Sequence, residues 1–354
     1  MNPKFILSAD DYGPIDFINR GVRYAVKNGL INSVQVLANG DRVHLREAMQ
    51  ALNESVPDGQ SVDVGLHLTL TSGKPLFKAA GNSIDSTWGK MLKKGSFKKF
   101  SKFYFGYRDK FNAIDGEFKA QLEQLQDAMN LGATNKLKLT TLSHHHGIFA
   151  IDDVLFSEYY AAFGKANKLA IRNPKALPAS SNNSFFGFVV PLLNLTDRKT
   201  DRKEMERMND AFGRNEFAGK ADLSLKTANY TEVSFYGSLG SLANINVMHE
   251  KRINKRVETF KEIIDRATKY TPKPDLEPKD KIVEVVFHIG DHQQGQGGFK
   301  QAVKNYKGVD HKYFEDRQHE LHALERIGDA HKDIFGKQLV SWEACEEVTF
   351  KKLS

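Results

Sequence analysis

Cysteine is almost absent from this sequence, and its scarcity excludes two kinds of site. With one cysteine, Cys345, in 354 residues, the chain has neither an intramolecular disulfide framework nor a cysteine-based zinc site. Long apolar runs are also missing, so no segment reads as a transmembrane helix, and the apolar stretch after Met1 is too short for a signal peptide. We therefore expect a cytoplasmic protein with no membrane partner.

The sequence has no large excess of either charge, because 51 Lys and Arg residues are nearly balanced by 44 Asp and Glu residues. The net charge is +7, with 40% hydrophobic and 27% charged residues, as in ordinary soluble globular proteins. Segment 93–108 interleaves lysines with aromatic residues, a pattern that single-strand-binding proteins use. Since no nucleic-acid-binding motif accompanies it, we favour an amphipathic helix or flap there and expect no nucleic-acid partner.

Strand-like and helix-like segments alternate along the chain, which predicts a parallel sheet, either open or closed into a barrel. Residues 175–230 break this order and are interpreted as an insertion or lid. The predicted strands after the first apolar run, Phe5 to Ala9, cover 31–37, 62–70, 137–142, 169–172 (ending at Asn173 and Pro174), 282–287 and 338–342. Helices are predicted after Gly13, over 42–52, around 114–129 and 253–267, and over 314–328.

Aspartate and histidine residues stand at or near the ends of four of these strands. Asp10 and Asp11 follow the first, His67 lies near the end of a second, and His144 and His288 follow two more. Adjacent carboxylates repel, so the pair favours a metal ion, a catalytic base or both, although Asp11 as a helix N-cap is a purely structural alternative. Carboxylates and imidazoles without cysteine are typical of a hydrolytic divalent-metal site.

Three motifs carry a resemblance to the YdjC/ChbG-like carbohydrate deacetylases. Residues 8–13, Ser-Ala-Asp-Asp-Tyr-Gly, are similar to that family's opening motif, residues 65–76 to its second motif and residues 143–146 to its third. Weaker matches span the rest of residues 4–342, apart from insertions at about 78–110 and 175–230. These weaker matches are Glu117 and Gln121, the Phe-Tyr-Gly element around Tyr236, and Arg317 with Glu320.

The resemblance implies a single domain over residues 1–354 with a distorted, TIM-like (βα) barrel, often a homodimer. It implies one divalent ion, magnesium with zinc as the alternative, held by Asp11, His67 and His144, with Asp10 as general base. The implied reaction is removal of acetyl groups from N-acetylated sugars such as chito-oligosaccharides.

The remaining roles are assigned from residue type and position. His288 ends a strand and is our choice for the acid that protonates the leaving amine. Arg172 is expected to orient substrate or to keep Asp10 ionised, with an ordinary surface or salt-bridged arginine as the alternative. Tyr236 offers a flat face to a sugar ring. The other histidines near the C-terminus are expected on the surface: His292, His311, His319, His322 and His331.

Two other functions stay open. A metal-dependent phosphoesterase on the same scaffold would use the basic charge for an anionic substrate, although two-metal sites need more acids than these motifs offer. A non-catalytic glycan- or nucleic-acid-binding protein would use segment 93–111, and its affinity for nucleic acid would fall steeply with salt.

Overall fold

The computed structural model describes eleven stretches of the chain, separated by gaps. They are residues 3–97, 107, 110–132, 135–151, 154–176, 216–217, 223–232, 245–269, 282–291, 311–345 and 347–352. None of the helices in these stretches is long and apolar enough to cross a membrane.

Strands and helices alternate through the described residues. The strands are β1 (Lys4–Tyr12), β2 (Ser33–Val36), β3 (Val62–Leu68), β4 (Leu92–Lys93), β5 (Ser96–Phe97), β6 (Leu137–His144), β7 (Ala170–Ala176), β8 (Glu216–Phe217), β9 (Leu223–Glu232), β10 (Ile282–Phe287) and β11 (Glu347–Lys352). The helices are α1 (Asp16–Lys27), α2 (Arg42–Ser55), α3 (Ile84–Trp88), α4 (Phe111–Ala128), α5 (Ala162–Ala166), α6 (Ile245–Lys269) and α7 (His311–Ala330).

The main sheet is parallel and curled. Six strands pair in the order β10-β1-β2-β3-β6-β7, each parallel to its neighbour. Strand β9 pairs in parallel with both β7 and β10, so it links the two edges of this sheet. The predicted α/β class is confirmed and the sheet agrees with a distorted barrel, while the eight-stranded ring of a full TIM barrel is not seen among the described residues.

The two faces of the curled sheet differ in polarity. Phe5, Leu7 and Ala9 of β1 belong to one buried apolar core with Phe17 and Val22 of α1. Because side chains alternate along a strand, the residues between them face the opposite way. On that side Ile6 joins a small separate apolar cluster with Trp342. The same side carries buried polar residues that bond to one another across the sheet: Ser33, Gln35, His67, Ser143, Asp10, Arg172 and Glu284.

Two predicted segments differ from the structure at their ends. Strand β7 continues through Pro174 to Ala176 instead of ending at Asn173. Its register with β9 shifts between Arg172 and Ala176, and an irregularity of this kind tolerates a residue without a backbone N–H. Most of strand β9 falls inside the range 175–230 that was interpreted as an insertion, so residues 223–230 belong to the sheet.

The C-terminal segment is held against the amino-terminal ends of the strands. Asp63 at the start of β3 accepts hydrogen bonds from the Trp342 backbone N–H (2.7 Å) and the Ser341 hydroxyl (3.0 Å). The predicted strand 338–342 is wrong, because it is reduced to a single bridge between Phe5 and Leu339 before a 3₁₀ turn begins at Trp342.

Helix α4 fixes the loop that follows β3. The buried Glu117 carboxylate accepts hydrogen bonds from the backbone N–H groups of Leu76 (2.9 Å) and Phe77 (2.8 Å). One turn later, the Gln121 amide donates to the Thr69 carbonyl at 2.8 Å. The loop after β3 is therefore held by two buried side chains on one helix face.

Glu117→Gln should change how stability depends on pH. Burial raises the pKa of Glu117 from 4.5 to about 7, so the folded state holds this proton more tightly than the unfolded state. The contribution to stability is complete below the unfolded pKa and is lost as the pH rises through about 7, by at most about 3 kcal/mol. The free energies of unfolding of both proteins are measured by urea titration at about pH 5 and about pH 8. Relative to the wild type, the variant should be more stable at the higher pH than at the lower by up to that amount. A stability difference independent of pH would contradict this.

Candidate active site

A bulge in β1 presents two carboxylates to the same region. Ala9 pairs with Val34 and Tyr12 with Val36, so β1 carries one more residue than β2 over this stretch. Asp11 has a φ of 69°, in the left-handed region that aspartate tolerates better than most residues. A regular strand would turn Asp10 and Asp11 to opposite faces, whereas a bulge re-aims one of them.

The turn after the bulge is fixed by Asn19 of α1. Its side-chain amide donates to the Gly13 carbonyl and accepts from the Gly13 N–H, both at 2.8 Å. Gly13 has a φ of +123°, and a Cβ there would lie 2.9 Å from the Leu37 carbonyl oxygen, so only glycine fits. Ile15 occupies the N-cap position of α1, which shows that the capping alternative for Asp11 is wrong.

Arg172 lies between two carboxylates in the interior of the sheet. Its guanidinium donates to both oxygens of Asp10 at 2.7 and 2.8 Å and to both oxygens of Glu284 at 2.7 and 2.8 Å. Burial raises the pKa of Asp10, but the charge and hydrogen bonds of Arg172 outweigh it and lower the pKa below its ordinary value. Asp10 is therefore an ionised buried carboxylate at neutral pH.

His67 faces both carboxylates of the β1 bulge. Its Nε2 atom lies 3.6 Å from Asp10 Oδ2 and 3.7 Å from Asp11 Oδ1. Burial lowers the pKa of His67 well below its ordinary value, so the ring is neutral and one nitrogen carries a lone pair. The distances exceed those of hydrogen bonds, which leaves space between the three side chains.

Two histidines lie at the end of β6: His144 is its last residue, and His145 comes next. Burial lowers the pKa of His144 to about 3, and among the described residues neither of its ring nitrogens has a hydrogen-bond partner. The His145 Nε2 atom lies 3.6 Å from Asp11 Oδ1. The structure thus places His145 beside Asp11, whereas the resemblance names His144, whose ring packs against Phe149 and Tyr160.

The loop after β10 and helix α7 also bring residues close to Asp10 and Asp11. His288 Nε2 lies 4.0 Å from Asp10 Oδ2, and the His288 backbone N–H donates to Glu320 at 2.7 Å. Arg317 Nη2 is 3.7 Å from Asp11 Oδ2. Burial raises the pKa of Asp11, but the neighbouring imidazoles and Arg317 outweigh burial and lower it to about 2.

The donor set fits a divalent ion in chemical type. Buried Asp11 Oδ1 and both His144 nitrogens lack hydrogen-bond partners among the described residues, and an ion would satisfy such atoms. In spacing the fit is looser, since no group of three or more described His, Cys, Asp or Glu residues is arranged to hold a metal ion. Adjacent octahedral ligands at about 2.1 Å from an ion lie about 3 Å apart, so His67 Nε2 and Asp11 Oδ1, which are 3.7 Å apart, must close by about 0.7 Å.

The structure brings most of the predicted site residues to one place. Asp10, Asp11, His67 and His288 converge, and Arg172 lies beneath them, 1% exposed. The predicted Tyr236 and most of segment 93–111 lie outside the described residues. His319 was expected on the surface, but it is 2% exposed because its helix face packs inward, so that expectation is wrong.

Three polar residues of the network were missed. They are Glu284, Gln35 and Ser143, each the bonding partner of a predicted site residue or of its neighbour. Glu284 interrupts the apolar run Ile282 to Phe287, and Gln35 lies between Val34 and Val36. A single polar residue inside a strand buried on both faces needs a bonding partner, and this signal was available in the sequence.

The fold and the site define an α/β protein with buried carboxylates and imidazoles at the carboxyl ends of parallel strands, where such proteins place their chemistry. The family model for YdjC-like proteins matches residues 4–326. The chain therefore belongs to the YdjC-like family.

Named relatives agree with this membership. A carbohydrate deacetylase of Clostridium beijerinckii is 28% identical over 174 residues, which is 49% of this chain and 61% of that protein. A carbohydrate deacetylase of Thermoanaerobacter pseudethanolicus is 31% identical over 144 residues, 40% of this chain and 49% of that protein. The chain thus matches about three fifths of the length of the first relative and about half of the length of the second.

A solved structure shares the fold. The crystal structure of an Enterococcus faecalis protein, described as a candidate cellobiose-phosphate cleavage protein, superposes with a TM-score of 0.58 at 16% identity. The match covers 97% of this chain and 99% of that one. At this identity the likeness concerns the fold alone.

Arg172→Met should destabilise the protein strongly. The substitution leaves Asp10 and Glu284 buried without their cation, and breaking a buried pair in this way costs about 3–5 kcal/mol. Arg326→Met is the matched control, because Arg326 pairs with Glu250 at the surface and its loss should cost at most about 1 kcal/mol. Urea unfolding measures both, and equal losses would contradict the structural role of Arg172.

Proposed function

We propose that this protein is a divalent-metal-dependent hydrolase that removes acetyl groups from N-acetylated sugars. The convergence of Asp10, Asp11 and His67 at the ends of β1 and β3 carries the proposal, in a family whose named relatives are carbohydrate deacetylases. Magnesium is the proposed ion, with zinc as the alternative.

Asp11, His67 and His144 would hold the ion, as carboxylate and neutral imidazole ligands. A bound divalent ion polarises the acetamide carbonyl and makes water a stronger acid. The neutral state of both imidazoles favours this role, since only an unprotonated ring nitrogen can bind a metal.

Asp10 takes the proton of the attacking water as general base. Arg172 keeps this carboxylate charged, and each of its oxygens retains a second lone pair for the water proton. His288 then donates a proton to the leaving nitrogen, so that water and the amide become acetate and an amine. Both groups act at the same strand ends, with His288 Nε2 4.0 Å from Asp10.

The finer features of the function are also proposals. The substrate class is chito-oligosaccharide-like sugars, the assembly a homodimer and the compartment the cytoplasm. The insertion at about 78–110 follows β3, and β7 ends at Ala176, at the start of the insertion at about 175–230, so both are joined to the carboxyl ends of parallel strands. Loops at those ends shape the substrate pocket in barrel enzymes.

The activity is tested by incubating the full chain with a panel of acetylated mono- and oligosaccharides and measuring released acetate. Acetate should appear, disappear with a chelator and return when the divalent ion is restored. Acetate release that survives complete metal removal would contradict metal dependence, and no release from any acetylated sugar would contradict the deacetylase activity.

His67→Ala and His144→Ala should each lower the metal content of the purified protein. Loss of a residue that hydrogen-bonds to a metal ligand lowers metal affinity roughly 10- to 100-fold, and loss of the ligand itself should lower it at least as much. Metal-to-protein ratios by mass spectrometry check this. His322→Ala, a histidine paired with Glu325 on α7, is the control and should keep the wild-type ratio.

Asp10→Asn should keep the metal but lose most activity. The amide cannot accept the water proton, and general-base catalysis supplies roughly 10²–10⁴-fold in rate. Glu284→Gln is the matched control, because it removes the other carboxylate partner of Arg172 and should reduce kcat far less. If kcat falls equally in the two folded variants, Asp10 has a structural role and is not the general base.

A further inference from the structure

A chain of buried hydrogen bonds leads through the interior of the sheet to His67. It begins at Trp342, whose Nε1–H donates to the Ser33 hydroxyl at 3.1 Å. The Gln35 side-chain nitrogen donates to the same hydroxyl at 3.0 Å, and the Ser143 hydroxyl donates to the Gln35 amide oxygen at 2.7 Å. Ser143 Oγ lies 2.7 Å from His67 Nδ1.

The donors in this chain decide which nitrogen of His67 carries the proton. The Trp342 indole can only donate, and it occupies one lone pair of the Ser33 hydroxyl. The Gln35 nitrogen donates to the same hydroxyl, and in this orientation of the amide the Gln35 oxygen faces Ser143 and accepts its hydroxyl proton. Ser143 is left to accept from His67, which places the proton on Nδ1 and the lone pair on Nε2.

Gly65 makes this path possible. Gln35 on β2 reaches Ser143 on β6 across the intervening strand β3, at the position where Gly65 pairs with Gln35. A Cβ at Gly65 would lie 1.9 Å from the Gln35 amide oxygen, so any other residue would displace the amide. The glycine two positions before His67 therefore leaves room for a side chain from the next strand.

We propose that Gln35 is the positioning residue that fixes His67 as its Nδ1–H tautomer. In this tautomer the Nε2 lone pair of His67 faces Asp10 and Asp11. Gly65 contributes by leaving the space that the Gln35 side chain occupies. The inference rests on the proposed metal role of His67 for its functional meaning. The tautomer itself is a property of the metal-free protein. It prepares Nε2, 3.6 and 3.7 Å from the two carboxylates, to bind a cation without a prior proton transfer.

Nitrogen NMR of the chelator-treated, full-length protein tests the tautomer directly. His67, assigned by comparison with His67→Asn, should show a protonated Nδ1 and an unprotonated Nε2. In Gln35→Met, which keeps side-chain length, Ser143 loses its acceptor and becomes free to donate to Nδ1, so the population should shift toward the Nε2–H form. A protonated Nε2 in the wild type, as the reverse orientation of the Gln35 amide would give, overturns the proposal.

Zn²⁺ titration by calorimetry gives a second measurement. Gln35→Met and Gly65→Ala should each weaken Zn²⁺ binding roughly 10- to 100-fold, the usual cost of losing a ligand's outer partner. Gly336→Ala, where an added Cβ meets open space, is the control and should bind as the wild type does. Unchanged affinity in folded Gln35→Met overturns the proposal. If the wild type fails to bind Zn²⁺, the proposed metal site fails, and the NMR result still decides the tautomer.

Discussion

The guanidinium of Arg172, shared between Asp10 and Glu284, is the interaction on which the rest of the site depends. Arg172 belongs to β7, while its two partners belong to β1 and β10, so one side chain joins three strands of the curled sheet. The cation keeps Asp10 ionised in a place where burial alone would favour a neutral acid. An apolar interior would pack equally well, but it would not hold a charged base at the strand ends.

Burial acts on the acids and the imidazoles of this site in opposite ways. The pKa values of His67 and His144 are lowered by burial, so these rings stay neutral and can bind a cation. The carboxyls of Asp10 and Asp11 stay charged because neighbouring groups, among them Arg172 beside Asp10 and Arg317 beside Asp11, offset their burial. A negative pair beside neutral rings has a net affinity for positive charge, which a symmetrical set of salt bridges would lack.

The sequence predicts those parts of the molecule that depend on local pattern. The strand-helix alternation and the clustering of Asp10, Asp11, His67 and His288 follow from the rule that parallel strands end at one edge. The partnership of Gln35 with Ser143, or of Arg172 with Glu284, joins residues that are more than 100 positions apart. Such pairings depend on how the strands curl and pair, which periodicity alone does not encode.

The bulge in β1 makes the length of this strand as important as its residues. Two positions later Gly13 enters the turn held by Asn19, so the bulge and the turn share one short stretch of backbone. Asp10 and Asp11 are the two residues between Ala9 and Tyr12, so deleting either would restore regular alternation and remove one of the two carboxylates. Substitutions here change one side chain at a time, whereas a change in length would rearrange the whole edge of the sheet. Homologous chains are therefore expected to vary in residue type at this edge far more readily than in spacing.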